Sequence, residues 1–266
     1  MSGFIELRGA TAALTGAGSG IGRATALSLA RRGAQLVVSD VIEERAEAVA
    51  SEIIDAGGSA VATRCDVQQD ADLNRLRDLC LETFGGVDLV MNNVGVLAMG
   101  PPETVPVEAW QRVLDINVLG IVRSNLVFLP LLLAQRRGHV VNTASLSGLL
   151  AHGHDRLPYV TAKHAVVGMS ESLALYLRPK GIGVTCFCPA GVRTNILEQI
   201  TFYGEPSTPR SPNYPVVDAE EAGELVADAV ASGQFLVLTS SAVQDELRER
   251  VEDIEGYLQR YQGDSE

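Results

Sequence analysis

The sequence predicts an α/β fold built on one parallel, doubly wound sheet. Seven short apolar runs alternate with longer stretches of helical periodicity along the chain. Most of those runs are continuously hydrophobic, as in strands covered on both faces, and not alternating. Gly33, Gly57 and Gly85 follow the first three helical stretches, where helices tend to stop. Strand and helix repeated this way imply a parallel sheet with right-handed crossovers.

The strand candidates, in order, are TAALTG (11–16), AQLVVSD (34–40), SAVATRCDV (59–67), VDLVMNN (87–93), GHVVNTAS (138–145), IGVTCFCPA (182–190) and FLVLTS (235–240). Helices are expected over 20–32, 43–56, 70–84, 107–136, 159–179 and 219–231. Asp70 and Asp72 sit at the front of the third, where the helix dipole favours negative charge. Residues 195–218, rich in proline, read as a long loop, the kind that serves as a lid or binding segment. The charged stretch 241–266 reads as a surface helix with a frayed end. No composition break divides the chain, so one domain over 1–266 is expected.

The totals narrow the function. The chain has 266 residues, enough for a sizeable core, and its 33 acidic against 21 basic side chains give a formal charge of −12. That balance weighs against nucleic acid or an anionic membrane as partner. Cys65, Cys80, Cys186 and Cys188 fit no zinc-ligand spacing and read as core residues of a reducing compartment, so no metal site is expected. The N-terminus lacks the pattern of a signal peptide, and the greasiest segment, 125–134, is too short to span a bilayer. These features predict a soluble, cytoplasmic protein.

TGAGSGIG (15–22) follows the first strand and opens the first helix. Glycines there let the backbone turn tightly and approach a ligand, and the helix N-terminus offers unpaired N–H groups to phosphate. The G-x-G-x-x-G spacing is not met; T-G-x-x-x-G-I-G is, through Thr15, Gly16, Gly20, Ile21 and Gly22. No Gly-Lys-Ser/Thr follows, which argues against a nucleoside-triphosphate loop. An ordinary strand–helix turn is the alternative. The second strand ends in Asp40, about twenty residues on, placed to accept hydrogen bonds from a ribose 2′-hydroxyl and to repel a 2′-phosphate. Ser19 and Val41 flank that position without a cation, so NAD is favoured over NADP; a plain surface carboxylate is the other reading. Asp66 and Val67, ending the third strand, fall where an adenine edge would lie. Asn93 and Gly95, ending the fourth, lie on the same carboxyl edge, although Asn93 has the alternative of only tying strands together.

Pro158 suits a first helical turn, so Tyr159 and Lys163 share one face of that helix at i and i+4. A phenol titrates near 10 and a nearby cation favours its anion. A shift of about two or three units would let it exchange protons near neutrality. Ser145, ending the fifth strand, is placed to polarise a carbonyl. Asn117, on the long helix, is placed to hold a water beside Lys163.

Together these residues resemble the short-chain dehydrogenase/reductase family over roughly 8–240, through T-G-x-x-x-G-I-G, Asp40, Asp66, N-N-x-G, Asn117, Ser145, Y-x-x-x-K and the P-A-G-V-x-T stretch at 189–194. The resemblance implies a Rossmann-like domain and an oxidoreductase interconverting a secondary alcohol and a ketone. It implies that Tyr159 donates or accepts the proton, and that Lys163 lowers the tyrosine's pKa and binds the nicotinamide ribose. By the same resemblance Ser145 orients the carbonyl and Asn117 maintains a water relay. Val192 and Thr194, with Pro189 beginning the stretch, would contact the nicotinamide carboxamide. A homotetramer or homodimer is implied, pairing the helices that hold Asn117 and Tyr159. The chain departs from the family pattern at Val94, where alanine is usual, and at Ala190, where glycine is usual. Bulk beside the ribose and a restricted turn are the expected consequences. A nucleotide-binding regulatory protein of this fold, or a lyase or epimerase using NAD transiently, are the rival readings.

Val94, Leu97, Met99, Leu149 and Leu150 hint at a hydrophobic substrate. His152 and His154 read as solvent-facing loop histidines, with metal ligation or substrate contact as the alternative. Trp110 and the leucines of 126–133 read as helix packing, and Phe202, Tyr203 and Tyr214 as parts of the loop over the substrate.

Overall fold

The computed structural model describes residues 4–205 and 214–262. The first half runs β1 (Thr11–Leu14), α1 (Gly20–Arg31), β2 (Gln35–Asp40), α2 (Glu43–Asp55), β3 (Ser59–Arg64), α3 (Asp70–Phe84) and β4 (Leu89–Asn92). A short β5 (Leu97–Met99) precedes α4 (Val107–Leu114), one π turn (Asp115–Leu119) and α5 (Gly120–Gln135). Then come β6 (Gly138–Thr143), α6 (Leu157–Leu177), β7 (Ile182–Cys188), β8 (Val192–Arg193), β9 (Ile200–Phe202), β10 (Val217–Asp218), α7 (Ala219–Ser232) and β11 (Leu236–Leu238). Two helices, α8 (Ala242–Glu252) and α9 (Ile254–Tyr261), finish the described chain.

Seven strands form one parallel sheet in the order β3-β2-β1-β4-β6-β7-β11. Neighbouring residues of one strand serve opposite layers. Ala12, Leu14, Leu36 and Val38 pack with α1, α2 and α7, while Ala13, Val37, Val90 and Val140 pack with α3, α5 and α6. Both faces are therefore dry, which is why the strands read as unbroken apolar runs. Each fully buried Leu, Val or Phe contributes roughly 1.5–3 kcal/mol of transfer free energy. The chain winds outward from β1 through β2 to β3 and then returns to the other side of β1 as β4. A crevice opens at that reversal, outside the carboxyl ends of the strands.

The predicted helix over 107–136 is one continuous run, but with the π turn inside it. By length and composition alone Val107–Gln135 is long enough and apolar enough to cross a membrane, longer than the 125–134 core of it suggests. In this fold Phe128 and Leu132 are buried against the sheet, and Asp115 pairs with Arg123 at 2.6 Å.

Two expectations change. Around 195–218 the chain is not simply a loop. β9 pairs with β5, Tyr203 N donates to Met99 O at 2.8 Å, and β10 pairs with β8; residues 206–213 lie outside the described ones. The C-terminal stretch is helical and mostly exposed, as expected, but it is two helices and one of them packs on the core. α9 buries Tyr257, 2% exposed, against Leu146, Leu150 and Val243, because its aromatic face has an apolar shelf to cover. Tyr257→Ala is expected to lower unfolding stability by about 3–5 kcal/mol in urea titrations; a loss under about 0.5 kcal/mol, the usual surface value, would restore the tail reading.

Candidate active site

A cleft of about 610 Å³ lies along the carboxyl edge of the sheet and takes in most of the residues singled out above. At one end α1 begins at Gly20, preceded by Ser19 in extended conformation with no side-chain cap. Its first-turn N–H groups are thus left for an anion. Gly20 has φ +51°, and Thr194 sits 3.0 Å from where a Cβ would project. Gly22 does not line the cleft; it lies behind it, where a Cβ would stand 2.2 Å from the Gly16 carbonyl oxygen and 2.7 Å from Asn93 Nδ2. Its absent side chain lets the turn close onto β4.

Asp40 ends β2 and faces the same turn. Its carboxylate accepts from Gly18 N and from Ile42 N, both at 3.1 Å, which fixes it at the cleft wall with lone pairs to spare. Asp66 accepts from Gln68 N at 3.0 Å, and Asp66 and Val67 both line the cleft. Asn93 takes the bracing role: Nδ2 donates to Gly16 O at 2.9 Å and Oδ1 accepts from Thr143 Oγ1 at 3.1 Å, joining β1, β4 and β6. Gly16, Ser19, Ile21, Gly95, Pro189 and Val192 line the cleft as well. An uncapped helix start, a turn with no room for side chains and a fixed carboxylate suit a dinucleotide.

At the other end stand Ser145, Tyr159 and Lys163. Ser145, just past β6, accepts from Ser147 N at 3.1 Å, which turns the chain across the cleft mouth. Lys163 is 3% exposed; its Nζ donates to Thr143 O at 2.7 Å and lies 5.6 Å from the Tyr159 ring centroid. Burial, which penalises the charged form, brings its pKa down to about 8. Tyr159 moves the other way. Burial raises its pKa above the ordinary phenol value, while the Ser145 side chain and the Arg156 charge act to lower it. Lys163 is not among the groups that lower it, since its ammonium is turned to the Thr143 carbonyl, and desolvation of the phenolate sets the direction.

Asn117 lies in the π turn and behind the cleft wall, fully buried. Its Oδ1 accepts from Val96 N at 2.9 Å and its Nδ2 donates to Val96 O at 3.0 Å, so the side chain clamps the β4–β5 connection; a spare lone pair remains on Oδ1.

The departures at 94 and 190 settle differently. Val94 Cγ2 lies 3.0 Å from where a Cβ on Gly16 would stand, so its bulk fills the space that glycine leaves beside the turn. Ala190 has no positive φ and donates from N to Thr239 Oγ1 at 3.0 Å, so alanine restricts nothing there. Of the apolar candidates, Val94 and Leu97 line the cleft; Met99, Leu149 and Leu150 do not, since β5 pairing and the α9 contact absorb them. Phe202 and Tyr203 are likewise held by β5. All four cysteines are buried. Among the described residues no group of three or more His, Cys, Asp or Glu side chains is placed to hold a metal.

His152, read from the sequence first as solvent-facing, is not so placed. It lines the cleft and its Nε2 lies 2.9 Å from Glu246 Oε1, whereas His154 is exposed as expected. The partner is 94 residues away, so no local pattern signals the contact.

The family model described as short chain dehydrogenase matches residues 10–202. Cyclohexanol dehydrogenase of Acinetobacter sp. (strain SE19) is 34% identical over 236 residues, 88% of this chain and 92% of the relative. The 2,5-dichloro-2,5-cyclohexadiene-1,4-diol dehydrogenase of Sphingobium indicum is 38% identical over 199 residues, covering 73% of this chain and 77% of the relative. Among solved structures, a short-chain dehydrogenase/reductase from Burkholderia phymatum in complex with NAD superposes with a TM-score of 0.84 at 33% identity, covering 98% of this chain and 99% of that one.

The folded pKa of Lys163, about 8, lies below its unfolded value near 10.4. Between those values the unfolded chain holds a proton that the folded one lacks, so this residue's contribution to stability rises with pH and is lowest below about pH 8. Lys163→Met is therefore expected to melt at or above the parent temperature at pH 7, with the advantage fading toward pH 10. A variant that melts well below the parent at pH 7 would show the ammonium to be a structural asset.

Proposed function

The chain belongs to the short-chain dehydrogenase/reductase family, and we propose that it is an NAD-dependent dehydrogenase interconverting a ring-borne secondary alcohol and the matching ketone. The observation that carries this reading is the convergence of Ser145, Tyr159 and Lys163 at one end of a cleft whose other end is an uncapped helix start beside Asp40.

When bound, NAD supplies the acceptor or donor of hydride. The residues of the chain do the rest. Tyr159 exchanges the proton at the substrate oxygen, and Ser145 orients that oxygen toward the phenol. Lys163, fixed by Thr143 O at 2.7 Å, holds positive charge where a ribose hydroxyl and a forming phenolate both benefit. Asp40 takes the adenosine ribose hydroxyls and excludes a 2′-phosphate; Asp66 and Val67 border the adenine, and Pro189, Val192 and Thr194 the carboxamide. Asn117 sets the β4–β5 connection under the nicotinamide end. The described parts of the 195–218 segment, up to 205 and from 214, border the substrate end of a single-domain protein. The ring preference is taken from the cyclohexanol and cyclohexadienediol dehydrogenases it resembles. Leu119, Leu126 and Leu175, exposed on the long helix run and on α6, support pairing of copies through these helices into a dimer or tetramer.

Oxidation of cyclohexanol, followed at the NADH absorbance, tests the reading. NADH is expected to accumulate stoichiometrically with ketone, which separates the dehydrogenase from a lyase or epimerase. NAD should outperform NADP by about tenfold or more, with Asp40→Ala narrowing the gap. Tyr159→Phe should cut kcat/KM by about 100-fold or more while NADH binding persists. Turnover undiminished in that variant would remove Tyr159 from the chemistry and revive the regulatory reading.

A further inference from the structure

A polar cluster stands at the substrate end of the cleft that the chemistry above leaves unused. Glu246, on α8, is buried, and three segments donate to it. His152 Nε2 lies 2.9 Å from Oε1, Tyr261 OH donates to Oε1 at 2.5 Å, and Tyr214 OH donates to Oε2. His152 is also enclosed by rings, with its centroid 4.8 Å from Tyr261, 6.1 Å from Tyr214 and 6.2 Å from Tyr257. His152 and Tyr214 line the same cleft as Ser145 and Tyr159. Tyr214, Glu246, Tyr257 and Tyr261 all lie beyond residues 10–202, outside the stretch the family model matches. Apart from His152, the cluster is built by the C-terminal part of the chain.

We propose that His152, held in place by Glu246, is a specificity-determining residue that accepts a hydrogen bond from a second hydroxyl of the substrate, away from the reacting carbon. This rests on the alcohol dehydrogenase reading. With the carboxylate taking the Nε2 hydrogen, the neutral ring presents Nδ1 as an acceptor and nothing else. Burial holds the imidazole pKa below its ordinary value, with the Glu246 carboxylate pulling back, which keeps that neutral form. Among the described residues Nδ1 has no partner, yet it is not sealed away. His152 lines the cleft and its side chain keeps 9% exposure, so the ring is reached from the cleft. An acceptor fixed on the cleft wall suits a substrate O–H, and a substrate lacking one would leave it unpaired. Glu246 touches no reacting group in this scheme; it is a positioning residue, fixing the ring's tautomer and orientation.

The test reads binding, so it does not depend on turnover. The Tyr159→Phe protein loaded with NADH is titrated with cyclohexanol and with ring diols whose second hydroxyl is adjacent, one carbon further, or opposite. Quenching of bound NADH fluorescence reports affinity. At least one diol is expected to bind about tenfold more tightly than cyclohexanol, one hydrogen bond's worth. Adding His152→Ala should bring that ratio close to one. His152→Phe, which keeps a ring among the tyrosines and so preserves packing, should do the same. In the active enzyme Glu246→Gln should raise KM for the preferred diol several-fold with kcat held within about twofold, the signature of altered positioning and not of altered chemistry. A preference that survives both His152 variants, the absence of any diol preference, or no measurable binding of any probe would each overturn the assignment. Undiminished turnover by Tyr159→Phe would instead sink the dehydrogenase mechanism while the binding ratio still reports on His152.

Discussion

The burial of one ammonium group constrains the whole chemical end of the cleft. Lys163 Nζ has lost nearly all its water and keeps one main-chain carbonyl, Thr143 O, as its hydrogen-bond partner in the described chain. A charge in that position is costly, as its lowered pKa shows, and other elements must be arranged to tolerate it. β6 has to end where its last carbonyl points at α6. Gly95 lies alongside, with Nζ in ordinary contact distance, 3.5 Å, of where a Cβ would be. Asn117 has to hold the Val96 backbone from behind, which the π turn allows by shifting the helix register at that residue. The tyrosine one turn away is placed by the same helix, and the serine by the turn that follows the same strand.

The dinucleotide end depends on topology more than on any single bond. Because the strands are parallel and the winding reverses between β1 and β4, the ends of β1, β2, β3 and β4 come to one edge without being near in sequence. The glycine turn then fills the reversal, and Asn93 ties it to β4 and β6. A dry sheet beneath supports the half-polar loops above. The C-terminal helices extend the principle by supplying Glu246 and two tyrosines that enclose His152 from behind.

Much of this was legible in the sequence. Unbroken apolar runs such as LVV at 36–38 reveal strands with two covered faces, and Gly33, Gly57 and Gly85 mark helix ends that adopt left-handed φ between 82° and 89°. The spacing of Tyr159 and Lys163 places them on one helix face, and the strand-end positions of Asp40, Asp66 and Ser145 follow from the alternating pattern. What could not be read was set by long-range packing. The sign of the Tyr159 shift depends on how deeply the phenol is desolvated, which no i, i+4 spacing encodes. The role of His152 depends on a carboxylate from α8, and α9 itself looks like a charged tail until the apolar shelf it covers is in view.

Titration of Tyr159 tests most directly whether its phenol, with a pKa raised by desolvation despite Lys163 nearby, becomes proton-active when the cationic nicotinamide is brought beside it. With ring-labelled tyrosine, the ¹³C resonance assigned by loss in Tyr159→Phe should titrate above the ordinary value of about 10 in the free protein. With NAD⁺ present, whose oxidised nicotinamide is cationic, it should fall well below that value. A resonance that titrates at or below about 10 without cofactor, or fails to move when NAD⁺ is added, would contradict the account.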